Sequence, residues 1–211
     1  MKVVIFGGSG FLGTGLVTQL LKDPANEITI ISRHDKPDSQ PKTVAWVKSD
    51  LLRDANWHQS VQAADWVIDC IGILLPNWKH HVTYRNGIFR PAQVIIDFLT
   101  ILPIESRPKF MFISANRSPF FMAPYMHAKR QVEQLTTKLP AEQVKIVYPT
   151  VMYDRSRPYS VVMALGMGIL TLIPGIKMLM RGFEPMKRSQ ATSEIVKLLH
   201  GEKSFIAARR K

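Results

Sequence analysis

The chain has 211 residues, 46% of them hydrophobic and 21% charged, a balance that suits one globular domain and excludes a disordered chain. Its one cysteine, Cys70, excludes an internal disulfide and a cysteine-rich zinc site, and fits a reducing, cytoplasmic setting. The net charge of +12 favours a phosphorylated cofactor or a membrane surface; the basic residues are scattered, without zinc-finger spacing or an RNA-binding aromatic motif, so nucleic acid is set aside.

The run KVVIF (2–6) predicts a short buried strand. It is too short, and too soon broken by glycine, to be a signal peptide. FLGTGLVTQLLK (11–22) has apolar residues at helical spacing, and Asp23-Pro24 closes it. Gly7, Gly10 and Gly13, spaced as GxxGxxG, run from the end of that strand into the first turn of the helix. In that strand–turn–helix context each glycine has a physical use. Gly7 permits the sharp turn, Gly10 lets a pyrophosphate approach the backbone, and Gly13 lets the helix pack against the sheet. The N–H groups and positive dipole end of the helix, at Ser9, Gly10, Phe11 and Leu12, would face the phosphates.

EITIIS (27–32) predicts the second strand and TVAWVKSD (43–50) the third. RDANWHQSVQAA (53–64) predicts a helix with Asp54 as a candidate cap, and DWVIDCIG (65–72) a fourth strand ending in glycine. A helical stretch follows from about 82 to 100, then strand KFMFIS (109–114), helix YMHAKRQVEQLTTK (125–138) and strand VKIVYP (144–149). Near the C-terminus come the apolar segment 160–182, a helix over 192–201 and a short strand in KSFIAAR. Strands alternating with helices predict an α/β fold of Rossmann type: a doubly wound, predominantly parallel sheet with helices on both faces. The whole chain reads as one nucleotide-binding domain, with 155–211 a small helical lid.

Ser32 and Arg33 stand at the end of the second strand, where an acidic residue would select NAD and an arginine accommodates a 2′-phosphate. His34 and Lys36 add positive potential, so NADP(H) is favoured over NAD(H). His80 and His81 are adjacent, share no helix face and have no third ligand nearby, so no metal site is expected.

GxxGxxG in that position resembles the extended and atypical branches of the short-chain dehydrogenase/reductase family, the NAD(P)-dependent epimerase/dehydratase-like proteins. SDLLRDANWHQSVQAADWVIDCIGIL resembles the family's stretch in which an Asp-Leu pair lies by the adenine, here Asp50 and Leu51, followed by a helix, a strand and Gly72. Cys70 and Ile71 lead into that glycine. YRNGIFRPAQVIIDFL resembles the next helix, with Asn86 at a frequent asparagine position. VYPTVMYD resembles the family's later strand end, with Pro149 kept and Tyr148 where an arginine is usual. GILL, FISA and MYD suggest a narrower likeness to the complex I 39-kDa-subunit-like group and its ubiquinone-biosynthesis relatives, which often keep a bound nucleotide while doing little catalysis.

The resemblance implies hydride transfer assisted by a tyrosine and a lysine one helical turn later. Tyr125 and Lys129 have that spacing. The lysine would lower the tyrosine's pKa and hold the nicotinamide ribose. Ser114 is the family's substrate-orienting hydroxyl, unless the register places Ala115 there; Ser118 is the fallback. The substrate is an unidentified small molecule, with a hydrophobic one among the open choices. A non-catalytic nucleotide-binding protein is the second reading. The segment 160–182 has three readings: a lid, an interfacial segment giving peripheral membrane contact with Arg155, Arg157, Lys177, Arg181, Lys187 and Arg188 at anionic head groups, or a membrane span.

Overall fold

The computed structural model describes residues 1–77, 79, 81–118, 122–158, 160–162, 165 and 184–209. Six strands form one parallel sheet: β1 (Lys2–Phe6), β2 (Glu27–Ser32), β3 (Ala45–Lys48), β4 (Trp66–Asp69), β5 (Lys109–Ile113) and β6 (Val144–Val147). Their order is β3-β2-β1-β4-β5-β6. The chain therefore winds one way from β1 and then crosses to β4 to wind the other way. The switch point lies between β1 and β4, where doubly wound sheets open a crevice at the carboxyl ends of the strands. β1 pairs with β2 from Lys2↔Glu27 to Phe6↔Ile31, and with β4 from Val3↔Trp66 to Phe6↔Asp69.

Alternation along the strands feeds two cores. Val3 and Ile5 face one side, under α1 (Phe11–Leu20) and α5 (Arg188–Leu199). Val4 and Phe6 face the other, under α2 (His58–Gln62), α3 (Arg90–Ile101) and α4 (Ala123–Leu135). Each fully buried Ile, Leu or Phe in these cores contributes about 1.5–3 kcal/mol. β1 needs no polar face because helices cover both sides. A second, two-stranded sheet pairs β7 (Met152–Tyr153) with β8 (Met186–Lys187) in parallel.

Several local expectations are corrected. The 53–64 helix shrinks to His58–Gln62, because the Asp54 carboxylate accepts the Asp50 N–H at 2.7 Å and builds a turn instead of capping a helix. The stretch before α3 is a π-helical turn, Arg85–Phe89. The last helix begins four residues earlier than expected, at Arg188. The final strand is a 3₁₀ turn, Phe205–Ala207, beside β6 through the Tyr148 N–H to Ile206 carbonyl bond of 2.7 Å. Most of the lid expected over 160–182 lies outside the described residues, as do His80, Lys177 and Arg181. Among the described residues, no helix is long and apolar enough to cross a membrane.

Candidate functional site

The glycine turn follows directly from β1. Gly7 has a φ of +74°, the left-handed region, and a Cβ there would sit 3.0 Å from the backbone of Cys70 and Ile71. The Gly10 N–H closes the turn on the Gly7 carbonyl at 2.9 Å. A Cβ on Gly13 would lie 2.4 Å from the Gly7 carbonyl oxygen, so only glycine lets α1 pack this close to β1. Sequence reasoning missed Gly8, where a Cβ would lie 2.8 Å from the Ile30 side chain. α1 starts without a side-chain cap and without an acidic residue in its first turn, leaving its N-terminal dipole uncompensated by the chain.

A cleft of about 360 Å³ opens at the carboxyl ends of β1, β4, β5 and β6. It brings together ten of the predicted site residues: Gly10, Phe11, Leu12, Cys70, Ile71, Gly72, Ser114, Tyr125, Lys129 and Pro149. Arg117 and Arg157 also line it, and among the described residues no Asp or Glu does. The remaining wall is largely apolar, from Ile73, Leu74, Ile113, Met122, Val151 and Met152.

Other predicted residues lie beside this cleft. Ser9 and Ser32 bring their hydroxyls to 3.4 Å, joining the glycine turn to the end of β2. Arg33 is exposed just beyond Ser32. Asp35, two residues further on, pairs with Lys48 at 2.8 Å, which lowers its pKa. Asp50 accepts the Leu52 N–H at 3.1 Å and shapes the turn after β3, while Leu51 is buried in the core around Trp57. Tyr148 does not line the cleft; its ring lies 4.6 Å beneath the Arg209 guanidinium.

Lys129 is buried on α4, and its Nζ donates to the Ile113 carbonyl at 2.6 Å. It also sits 4.7 Å over the Phe112 ring and 6.0 Å from the centre of the Tyr125 ring. Burial pushes its pKa down to about 8, against the opposing pull of Asp69, Cys70 and Glu133. Half-buried Tyr125 packs edge-on against Tyr84 at 5.9 Å, and burial with that neighbour raises its hydroxyl to about 12. The lowering expected from Lys129 is not realised in this arrangement. Desolvation dominates, and the ammonium is turned to a backbone carbonyl.

Ser114 is buried, and its hydroxyl donates to Glu133 on α4. Glu133 in turn accepts from Arg209 at 2.5 Å. With its one proton committed there, Ser114 offers the cleft only lone pairs. Ala115 lines the cleft without a hydroxyl, and Ser118 donates to the Met122 carbonyl at 3.3 Å. Glu133, Arg209 and the wholly buried Asp69 carried no motif; only apolar surroundings and a common strand-end location could have drawn attention to Asp69. Among the described residues, no group of three His, Cys, Asp or Glu could hold a metal ion.

Comparison with known proteins places this geometry. Over 93 residues the chain is 24% identical to MIOREX complex component 2 of Saccharomyces cerevisiae, a match covering 41% of this chain and 34% of that protein. A 38-residue stretch is 55% identical to epimerase family protein SDR39U1 of Bos taurus, covering 18% and 13% of the two chains. These matches thus span about a third and an eighth of those relatives' lengths. The fold is shared with UDP-glucuronic acid 4-epimerase from Bacillus cereus, solved with NAD, at a TM-score of 0.69 and 19% identity, over 98% of this chain and 76% of that one. It is shared also with human SDR39U1 (isoform 2), solved with NADPH, at a TM-score of 0.61 and 17% identity, over 94% and 70%. The family model described as the NAD dependent epimerase/dehydratase family matches residues 3–155, from β1 through the glycine turn and Tyr125 to the end of β7. With most of its length under that match, the chain belongs to the NAD dependent epimerase/dehydratase family.

Proposed function

We propose that the protein is an NADP(H)-dependent oxidoreductase. The observation that carries this reading is the left-handed turn at Gly7, which runs into a cleft that holds Tyr125 and Lys129 and, among the described residues, no acidic side chain. These residues fit a dinucleotide. Gly7, Ser9, Gly10, Phe11, Leu12 and Gly13 would hold the pyrophosphate at the N-terminus of α1. Ser32 and Arg33 would meet the adenosine ribose and its 2′-phosphate, with Asp50 and Leu51 near the adenine. Cys70, Ile71, Gly72 and Pro149 would border the nicotinamide half, and the Lys129 ammonium its ribose; Tyr148, held under Arg209, stands outside it. The cofactor, when bound, supplies or takes up a hydride. Tyr125 would exchange the substrate's proton, Lys129 would favour its ionised form once turned toward it, and Ser114 would orient the substrate oxygen by donating to it once its hydroxyl turns from Glu133. The apolar wall supports a hydrophobic substrate. NADPH oxidation over a panel of hydrophobic carbonyl compounds tests this: turnover lost in Tyr125→Phe supports it, and no turnover with any compound, despite NADPH binding, contradicts catalysis.

The second reading is a non-catalytic NADP(H)-binding protein. It is favoured by the raised Tyr125 hydroxyl and by the commitment of the Ser114 proton to Glu133. In that form the nucleotide would stabilise the fold and the segment 160–182 would dock on a membrane or partner. Sedimentation with anionic vesicles, lost at high salt, is the expected sign of membrane contact.

A further inference from the structure

We propose that Asp69 is a positioning residue for Lys129: its carboxylate, buried at the end of β4 beneath the cleft, keeps Lys129 an ammonium and seats it between β4 and β5.

The geometry comes from strand alternation. Val67 and Asp69 share one face of β4, and Val67 packs in the core under α3 and α4. Asp69 is in register with Phe112 of β5, which belongs to the same core. Lys129 Nζ lies 4.7 Å over that Phe112 ring and bonds the next carbonyl, Ile113, at 2.6 Å. A Cβ on Gly72, three residues beyond Asp69, would sit 3.6 Å from Nζ. Carboxylate and ammonium therefore converge from two elements beneath one cleft. Asp69 Oδ1 accepts the Ile71 N–H at 2.9 Å, whereas the buried Oδ2 has no hydrogen-bond partner among the described residues.

A buried carboxylate oxygen without a donor is costly unless a cation stands nearby. Lys129 is that cation, and the pull of each on the other opposes what burial does to both. The other titratable groups facing Lys129 are Cys70 just after β4, and Glu133 and Tyr125 from α4, with Tyr84 behind Tyr125. Glu133 is already held by Arg209 and Ser114, which leaves Asp69 as the carboxylate not committed to another side chain.

The functional consequence rests on the reading above, in which the Lys129 ammonium binds the cofactor ribose. Asp69→Asn then converts Lys129 to a neutral amine near neutrality, and acid restores it. NADPH binding to Asp69→Asn is expected to be roughly tenfold weaker than wild type at about pH 7.5 and within about threefold at about pH 6. In parallel, the Lys129 CεH₂ resonance, assigned with Lys129→Met, should titrate about one and a half pH units lower or more in Asp69→Asn. An equal NADPH deficit at both pH values, or a Lys129 titration unmoved by the substitution, overturns the proposal. If wild type binds no NADPH, the cofactor reading fails while the resonance still decides the Asp69–Lys129 linkage. If Asp69→Asn does not fold, the double variant with Lys129→Met should regain the fold, because removing both charges leaves neither unpaired; failure of both variants to fold would refute the pairing.

Discussion

Arg209 and Glu133, 76 residues apart, meet at 2.5 Å and tie the C-terminal end of the chain to α4. Arg209 Nη1 also donates to the Ala115 and Asn116 carbonyls at 2.6 and 2.8 Å. The guanidinium thus staples the loop after β5, which carries Ser114, to the helix that carries Tyr125 and Lys129. Its planar, five-donor fork suits this task in a way a lysine does not.

Arg209→Ala should therefore destabilise the protein by about 1–3 kcal/mol, since it leaves a largely buried Glu133 and two carbonyls short of a partner. Chemical denaturation measures this. Adding Glu133→Gln should recover part of the loss, so the two effects should be clearly non-additive.

Two glycines predict different costs for the same change. Gly201 has a φ of +79° with nothing within 4 Å of an added Cβ, so Gly201→Ala should cost only the backbone strain of about 1–2 kcal/mol. Gly13→Ala drives a methyl to 2.4 Å from the Gly7 carbonyl and should cost more, with loss of nucleotide binding as the turn shifts. Thermal unfolding of the two variants checks the ranking.

Gly13 also marks how much was legible in the sequence. The spacing of Gly7, Gly10 and Gly13 between an apolar run and a helical pattern was enough to place β1, the turn and α1, because each depends on local backbone demands. The six-stranded sheet followed from strand–helix alternation. What stayed hidden was long-range. No local pattern announces that Arg209 reaches Glu133, or that Glu133 accepts the Ser114 O–H hydrogen bond. Asp54 reads as a helix cap, yet its carboxylate is used by Asp50 four residues earlier. The Tyr125–Lys129 spacing was visible, but the burial that raises the tyrosine, and the smaller push from Tyr84 in a distant stretch of chain, were not.

Burial of Lys129 and Asp69 makes stability depend on pH with a definite sign. Lys129 falls to about 8 from 10.5, so between these values the unfolded chain holds more protons and stability rises with pH. Asp69 rises to about 6 from 3.8, so its contribution is fully present below 3.8 and is lost as pH rises through about 6. Melting temperature against pH, compared as wild type minus Lys129→Met, should show the alkaline gain; the corresponding comparison with Asp69→Asn should show the acid gain. Taking differences cancels the other carboxylates.

Tyr125→Phe removes a hydroxyl without opening a cavity. Stability should change by less than about 1 kcal/mol, and NADPH affinity by less than about threefold. Turnover, once a substrate is in hand, should fall by about a hundredfold or more, because proton exchange then lacks its donor. Steady-state kinetics should place that loss in kcat rather than in KM.

Calorimetric titration of the purified protein with NADPH and NADH comes first. One molecule of NADPH should bind per chain, about tenfold tighter than NADH or more, with the gap closing in Arg33→Ala. Binding of neither nucleotide would contradict the assignment of the glycine turn and cleft to a dinucleotide; equal binding of both would contradict the role given to Arg33.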